Sequence, residues 1–187
     1  MNEPTQNPGD VAETLRPHIR EVEDFPLPGI LFFDLNPIYA DAGLFDLLVS
    51  ELHASLAKLI DPSTVDYVVA PDARGFIAGT RLAASISCGF IATRKPQKLP
   101  PPVESHSYGL EYGENVLELS SHMSLAGAKM VVHDDVLATG GTAGASAALL
   151  TAAGAEVVAF SFSLEVAALH GADALPSGVP VATVLSL

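Results

Sequence analysis

The sequence predicts one α/β domain, in which a parallel twisted sheet is flanked by helices. Short β-branched segments alternate with helical segments rich in small residues from residue 65 onward, and this order is typical of parallel sheets covered on both faces. The chain has 187 residues, 49% of them apolar and 17% charged, which is enough to bury a core and too apolar for a disordered chain. We therefore expect residues 1–187 to form a single domain.

The amino-terminal segment predicts a short helix followed by a rigid turn. Residues 1–9 contain two prolines and a glycine and are expected to be frayed. Asp10 is a candidate cap for a helix that runs to about Val22 and is bent or shortened by Pro17. The run Phe25-Pro-Leu-Pro-Gly29 excludes a helix and predicts a turn.

The next segment predicts a long amphipathic helix that begins at Asp41 and ends before Pro62. Its apolar positions recur at helical spacing, which indicates one buried face. These positions are Leu44, Leu47, Leu48, Leu52, Leu56 and Leu59.

The remaining elements follow the strand–helix alternation. Strands are predicted at 65–70, 88–93, 129–133 and 156–164, with helices at 75–87 and 142–153. Between 95 and 124 the alternation stops, and a proline-rich run is followed by polar and aromatic residues. Loops of this length in compact domains are usually lids or binding loops, so a long loop is expected here.

Charge and cysteine content exclude several classes of protein. A formal net charge of −13 argues against a nucleic-acid partner or an anionic membrane surface. The single cysteine, Cys88, excludes a disulfide framework and is expected to be a small core residue. No basic segment followed by an apolar run is visible at the amino terminus, so a cytoplasmic location without membrane contact is expected.

The segment 131–142 carries the clearest chemical pattern. A buried strand ends in Asp134 and Asp135, and a loop through Thr139, Gly140 and Gly141 leads into a helix at Thr142. Glycines let backbone N–H groups surround an anion, and the helix N-terminus adds donors and partial positive charge. The loop therefore predicts a phosphate site.

Two carboxylates beside a phosphate site favour a polyol ligand. Asp134 and Asp135 can accept hydrogen bonds from a ribose diol or help position Mg²⁺ through water. Together with the loop they indicate a phosphorylated ribose. The pattern of a nucleotide-hydrolysing P-loop is absent from this segment, because no lysine follows the glycines.

A cluster of basic residues predicts a second anion site. Arg94, Lys95 and Lys98 are three of the chain's nine basic residues and lie within five positions. In so acidic a chain, this local excess favours an anionic ligand.

These motifs resemble type I phosphoribosyltransferases and, within them, the adenine phosphoribosyltransferase family. The resemblance covers roughly residues 22–170, and the motifs occur in the family's order. They are Phe25-Pro-x-Pro-Gly29 with Phe32 and Asp34, Ala73-Arg-Gly-Phe76, Arg94-Lys95 with Lys98-Leu-Pro100, Leu110-Glu-Tyr-Gly113, and Asp134-Asp-x-Leu-Ala-Thr-Gly-Gly-Thr142.

The resemblance implies a role for each motif. The phosphoribosyl group would be bound by Asp134, Asp135, Ala138, Thr139, Gly140, Gly141 and Thr142. Pyrophosphate would be bound by Asp72, Ala73, Arg74, Arg94, Lys95 and Lys98, and the base by Leu31, Phe32 and Phe33. Glu111 and Arg74 would be the catalytic residues, with Glu111 approaching the purine near N7.

The resemblance also implies the reaction and the assembly. Phosphoribosyl pyrophosphate and adenine would give AMP and pyrophosphate with Mg²⁺ as cofactor. The ion would be held through the substrate without a direct protein ligand, with Asp134 and Asp135 as the candidates to help position it. A homodimer is implied, with a small hood over roughly 1–40 and a flexible lid over roughly 95–120. The family usually has arginine where this chain has Phe33. Another purine base (hypoxanthine, guanine or xanthine), or a catalytically silent regulator that binds phosphoribosyl pyrophosphate, therefore stays open.

Overall fold

The computed structural model describes residues 8–110 and 113–187, which form nine strands and five α-helices within that part of the chain. The strands are β1 Arg20–Val22, β2 Phe32–Asp34, β3 Tyr67–Pro71, β4 Gly89–Thr93, β5 Val103–Leu110, β6 Gly113–Ser120, β7 Lys129–Leu137, β8 Glu156–Glu165 and β9 Val181–Ser186. The helices are α1 Pro8–Leu15, α2 Asn36–Ala40, α3 Ala42–Ala57, α4 Gly75–Ser85 and α5 Gly141–Ala152. Short 3₁₀ turns occur at Arg16–His18, Pro62–Thr64, Ala167–Leu169 and Gly171–Ala174.

Five parallel strands form the central sheet in the order β4-β3-β7-β8-β9. From β3 the chain crosses through α4 to β4 on one side, whereas from β7 it crosses through α5 to β8 on the other. The direction of winding therefore reverses between β3 and β7. In sheets of this kind, ligands bind beyond the carboxyl ends of the strands at that reversal.

The two faces of the sheet are buried against different helices. Val68 and Val131 pack in a core that includes the leucines of α3 and α4, while Val69 and Val132 pack in a second core with α5. Successive strand residues point to opposite faces, so one β-branched run supplies both cores. The predicted fold class is confirmed.

The α3 helix begins and ends close to the predicted bounds. The Asp41 carboxylate caps it by accepting a hydrogen bond from the Leu44 N–H at 2.9 Å. Leu48, Leu52 and Leu56 are buried on its inner face.

The amino-terminal helix differs from the prediction. The α1 helix begins at Pro8, before the proposed cap Asp10, and ends at Leu15. Pro17 then lies in a 3₁₀ turn, and the chain continues as β1 rather than as helix to Val22. Proline lacks the N–H that a longer helix needs, and β1 instead pairs with β2 in an antiparallel ribbon.

The predicted long loop is wrong over most of its length, because β5 and β6 pair there as an antiparallel hairpin. Leu117 and Leu119 alternate with Glu118 in β6 and are 2% and 1% exposed, packed in the core on the α5 side. Burial of this apolar face stabilises β6. In the sequence, the prolines before β5 obscure the alternation of apolar and polar residues that would predict the hairpin. Glu111 lies outside the described residues, and whether the hairpin acts as a lid remains a prediction.

Strand β9 was not predicted either, and it completes the sheet by pairing with β8. Over 8–110 and 113–187, no helix has both the length and the apolar character that a membrane crossing requires.

Candidate active site

The predicted phosphate loop connects β7 to α5 and lines a small cavity of about 70 Å³. Gly140 has a φ of 78°, a left-handed conformation that favours glycine, and the α5 helix begins at the next residue. The N-terminal N–H groups of α5 therefore open toward this cavity, as in known anion sites. The five predicted loop residues lie together here: Ala138, Thr139, Gly140, Gly141 and Thr142.

A segment remote in the sequence supports the loop from behind. A Cβ atom on Gly140 would overlap the carbonyl oxygen of Gly171, and a Cβ on Gly171 would overlap the carbonyl oxygen of Ala138. The two backbones are in direct contact because neither glycine has a side chain. Sequence reasoning missed Gly171, since its glycine identity was the sole signal at this position in the sequence; the structure adds a left-handed conformation at His170.

A larger cavity of about 380 Å³ lies at the carboxyl ends of β3 and β7. It joins the predicted pyrophosphate loop 72–74 to the predicted diol carboxylates, and the peptide bond between Asp72 and Ala73 is cis. Residues lining it are Asp72, Ala73, Arg74, Lys95, Leu117, Asp134, Asp135 and Thr142.

Asp134 and Asp135 form an acidic pair beside this cavity, in which Asp135 is buried and Asp134 is half-buried. Asp135 is only 3% exposed, and its Oδ2 lies 3.0 Å from Arg74 Nε. The Asp135 N–H donates to Asp134 Oδ1 at 2.9 Å. Gly75 allows α4 to begin close to the pair, because a Cβ there would lie 2.9 Å from Asp134 Oδ1.

Burial sets the protonation behaviour of the pair. It raises the pKa of Asp134 well above the usual carboxyl value, and the neighbouring Asp135 charge raises that pKa further. Burial also raises the pKa of Asp135, while the Arg74 guanidinium opposes this shift. Among the described residues, Arg74 is the side-chain cation that forms an ion pair with this acidic pair. The pair therefore favours ligands that bring hydroxyl donors or positive charge.

Polar groups also lie behind the acidic pair. Burial raises the pKa of the Tyr39 hydroxyl, and the charge of Asp135 adds to that effect. His133 is fully buried, with Nδ1 3.3 Å from Ser161 Oγ, and burial lowers its pKa to about 4. A neutral His133 inside β7 is structural, in agreement with its position in the middle of a buried strand.

The predicted base-stacking residue lies next to Arg74. The Arg74 guanidinium carbon is 4.7 Å from the centroid of the Phe32 ring, and the Phe25 ring meets Phe32 edge-on at 5.1 Å. Leu31, directly before β2, is 44% exposed. Arg74 therefore connects the acidic pair to the aromatic surface.

Phe33 does not share this surface. Its side chain is 8% exposed and belongs to the core on the α3 and α4 side, because neighbouring residues of β2 face opposite directions. The prediction of Phe33 as a base-binding side chain therefore does not agree with its position.

The three basic residues of the cluster have different surroundings. Lys95 lines the larger cavity. The Arg94 side chain instead pairs with Asp72, with Nε 2.8 Å from Oδ2. Lys98 is exposed and is not among the residues that line that cavity. Outside this region, Cys88 is a free thiol that packs partly against the core, where burial raises its pKa.

Fold and cavity together define a doubly wound α/β protein with a site for a phosphorylated sugar at its topological switch point. A family model described as the phosphoribosyl transferase domain matches residues 40–176. Over 171 residues the chain is 46% identical to an adenine phosphoribosyltransferase from a Synechococcus strain, covering 91% of this chain and 96% of that protein. The chain therefore belongs to the adenine phosphoribosyltransferase family.

Solved structures agree with this assignment. An adenine phosphoribosyltransferase from Rhodothermus marinus is 40% identical with a TM-score of 0.88, covering 96% of this chain and 99% of that one. The Saccharomyces cerevisiae enzyme, complexed with an imino-altritol bisphosphate and adenine, is 33% identical with a TM-score of 0.89, covering 95% and 99%. The type I phosphoribosyltransferase fold expected from the motifs is thus confirmed.

Proposed function

We propose that the protein transfers the phosphoribosyl group of phosphoribosyl pyrophosphate to N9 of adenine, giving AMP and pyrophosphate in purine salvage. One observation carries the proposal: the phosphate loop, the acidic pair and Arg74 above Phe32 lie side by side at one switch point. The names of the relatives and the adenine bound to the yeast enzyme support adenine as the base.

The phosphoribosyl group would span the two cavities. Its 5′-phosphate would accept hydrogen bonds from the backbone N–H groups of residues 138–142, and its hydroxyls would donate to Asp134 and Asp135. Because Asp135 is buried and Arg74 forms its ion pair with Asp135 rather than with Asp134, these hydroxyls would supply further donors to the two carboxylates.

The pyrophosphate group would occupy the larger cavity, where Arg74 and Lys95 supply positive charge. Arg74 is suited to this role because its planar fork can bind two phosphate oxygens at once. The exposed Lys98 would reach the leaving group from outside that cavity.

Adenine would stack on Phe32, with backbone contacts from Leu31. The departure from the family at Phe33 does not by itself argue for another base, since the Phe33 side chain is buried in the core. Glu111 would approach N7 of the purine, a role that rests on the motif alone.

The reaction needs alignment and charge more than covalent chemistry from the protein. As the bond between C1′ and the pyrophosphate oxygen breaks, C1′ gains oxocarbenium character while charge grows on the leaving group. Arg74 and Lys95 would stabilise that charge, and the acidic pair and phosphate loop would hold C1′ in line with N9.

Mg²⁺ is the proposed cofactor, and the residues present fit it. The ion would bind mainly through pyrophosphate oxygens in the larger cavity, which Asp134 and Asp135 also line. Asp134 and Asp135, whose pKa values burial raises, would be its acidic neighbours. When bound, Mg²⁺ neutralises part of the charge on the leaving pyrophosphate.

A homodimer in the cytoplasm is the proposed form of the protein. The apolar side chains of Phe25 and Leu27 in the hood are 50% and 62% exposed, and a partner would cover them. A single cysteine fits a reducing compartment. Light scattering and cell fractionation test the two proposals.

Initial rates with phosphoribosyl pyrophosphate, Mg²⁺ and each purine base test the reaction. We expect AMP from adenine and little product from hypoxanthine, guanine or xanthine. Asp135→Asn and Arg74→Ala should each lower kcat/KM at least a hundredfold, about 2.7 kcal/mol of transition-state stabilisation. Glu156→Gln likewise replaces an exposed carboxylate by an amide, at a position that lines neither cavity, and serves as the matched control. Undiminished activity in both site variants would refute the assignment.

A further inference from the structure

Asp72 presents an electrostatic problem in the larger cavity. Its side chain lines the space proposed for pyrophosphate, and a carboxylate there repels a highly charged anion. In a partly buried site this repulsion is stronger than in water. A pyrophosphate site that contains Asp72 therefore needs a partner that neutralises the carboxylate.

Arg94 supplies that partner. Its Nε lies 2.8 Å from Asp72 Oδ2, and the two side chains are 32% and 14% exposed. The guanidinium also lies 5.6 Å above the centroid of the Phe76 ring in α4, which holds it in place. The Arg94 guanidinium therefore pairs with the Asp72 carboxylate and lies over the Phe76 ring.

The backbone of Arg94 makes a second connection. Its N–H donates to the Glu118 carbonyl at 2.9 Å, and the Glu118 N–H donates back to the Arg94 carbonyl at 2.7 Å. The neighbouring Asp72 N–H donates to the Thr93 carbonyl at 2.9 Å. The base of the β5–β6 hairpin and the 72–74 loop therefore meet at one residue.

We propose that Arg94 is a positioning residue, which neutralises Asp72 and fixes the pyrophosphate loop to the base of the hairpin. This role replaces the direct contact with pyrophosphate that the family resemblance implies for Arg94. It rests on the proposed function, since it explains how that same site accepts pyrophosphate.

Rescue by a second substitution distinguishes a positioning role of Arg94 from direct contact between Arg94 and pyrophosphate. Arg94→Met leaves Asp72 unpaired, and we expect the Kd for phosphoribosyl pyrophosphate with Mg²⁺ to rise at least tenfold in calorimetry. Asp72→Asn in the Arg94→Met background removes the unpaired charge and should restore the Kd to within threefold of the wild type. In kinetics, Arg94→Met should raise the KM for phosphoribosyl pyrophosphate more than it lowers kcat.

A second arginine–aspartate pair provides the matched control. Arg81 pairs with Asp46 and lies 4.6 Å over the Phe45 ring, so Arg81→Met breaks the same kind of contact away from both cavities. Its Kd should stay within twofold of the wild type. Arg94→Gln, whose amide can still donate to Asp72, allows the same rescue comparison if Arg94→Met fails to fold.

The outcomes distinguish the two proposals. If the wild type and Arg81→Met bind but Asp72→Asn rescues neither Arg94 variant, Arg94 contacts pyrophosphate directly and the positioning role is wrong. If the wild type itself binds no phosphoribosyl pyrophosphate, the proposed function fails, and this inference fails with it.

Discussion

Gly171→Ala tests whether the segment behind the phosphate loop controls substrate binding. A methyl group at this position would overlap the Ala138 carbonyl oxygen and lie 3.0 Å from a methyl carbon of Leu137. Backbone atoms cannot rotate out of the way as a flexible side chain can. The loop must therefore move away from Gly171, toward the cavity that receives the phosphate.

The size of the effect follows from this overlap. Relieving it requires a displacement of roughly 1 Å, and misplacement of that size costs on the order of a hundredfold in rate. Overpacking of this kind also costs about 1–3 kcal/mol of stability, a fall in Tm of several degrees for a chain of this length. We expect kcat/KM for phosphoribosyl pyrophosphate to fall about a hundredfold while the protein stays folded.

Steady-state kinetics and thermal melts on matched variants check the prediction. Gly178→Ala is the control, because Gly178 has a φ of 83° and no atom within 4 Å of its would-be Cβ. It should lose about 1–3 kcal/mol of stability through backbone strain and keep its kcat/KM. Wild-type kinetics in Gly171→Ala would show that the loop does not depend on this contact.

Three further predictions concern the acidic pair, the buried histidine and the base. Burial raises the pKa of Asp134 above its value in the unfolded chain, so the stability that protonated Asp134 contributes is lost as pH rises. Asp134→Asn should therefore raise Tm at pH 7.5, with a smaller gain in Tm at pH 5. The same substitution should abolish turnover. Burial lowers the pKa of His133 to about 4, so on acidification the unfolded chain binds a proton at this residue before the folded protein does. The free energy of unfolding should therefore fall as pH is lowered from about 6.5 to 4, by at most roughly 3 kcal/mol. His133→Gln should flatten that dependence in urea unfolding, and an unchanged slope would exclude His133 as its source. Phe32→Ala should raise the KM for adenine about tenfold or more through lost stacking, and an equal rise for phosphoribosyl pyrophosphate would argue against a base-specific role.

The elements that could be predicted from the sequence are those whose signal is local. The leucine spacing of α3 and the β-branched runs of β3 and β7 reflect burial on a fixed period, so each pattern is complete within one segment. The phosphate loop is also local, since strand, glycines and helix start are contiguous in the sequence. The β5–β6 hairpin was missed although its strands are neighbours in the sequence, because the prolines before β5 obscure their pattern. Strand β9 was also missed, and its place at the edge of the sheet is set by its pairing with β8.

Within the candidate site the same division holds. Residues 134–142 carry their chemistry in their order along the chain, whereas the roles of Arg94 and Phe33 depend on which neighbour each side chain meets. A basic cluster identifies cations near an anion site, but it does not indicate that one of them is already paired with Asp72. Likewise, Phe32 and Phe33 are adjacent in β2 and look equivalent in the sequence, but in the structure Phe33 is buried in the core.

The sequence by itself determined the parallel α/β class, the phosphate loop and the acidic pair, because periodicity and contiguous motifs encode them directly. Only the tertiary structure decided that Gly171 supports the loop, that Arg74 lies between Asp135 and Phe32, and that Arg94 neutralises Asp72. These contacts join residues up to 61 positions apart, the separation of Arg74 and Asp135, and they form only once the strands and helices have packed.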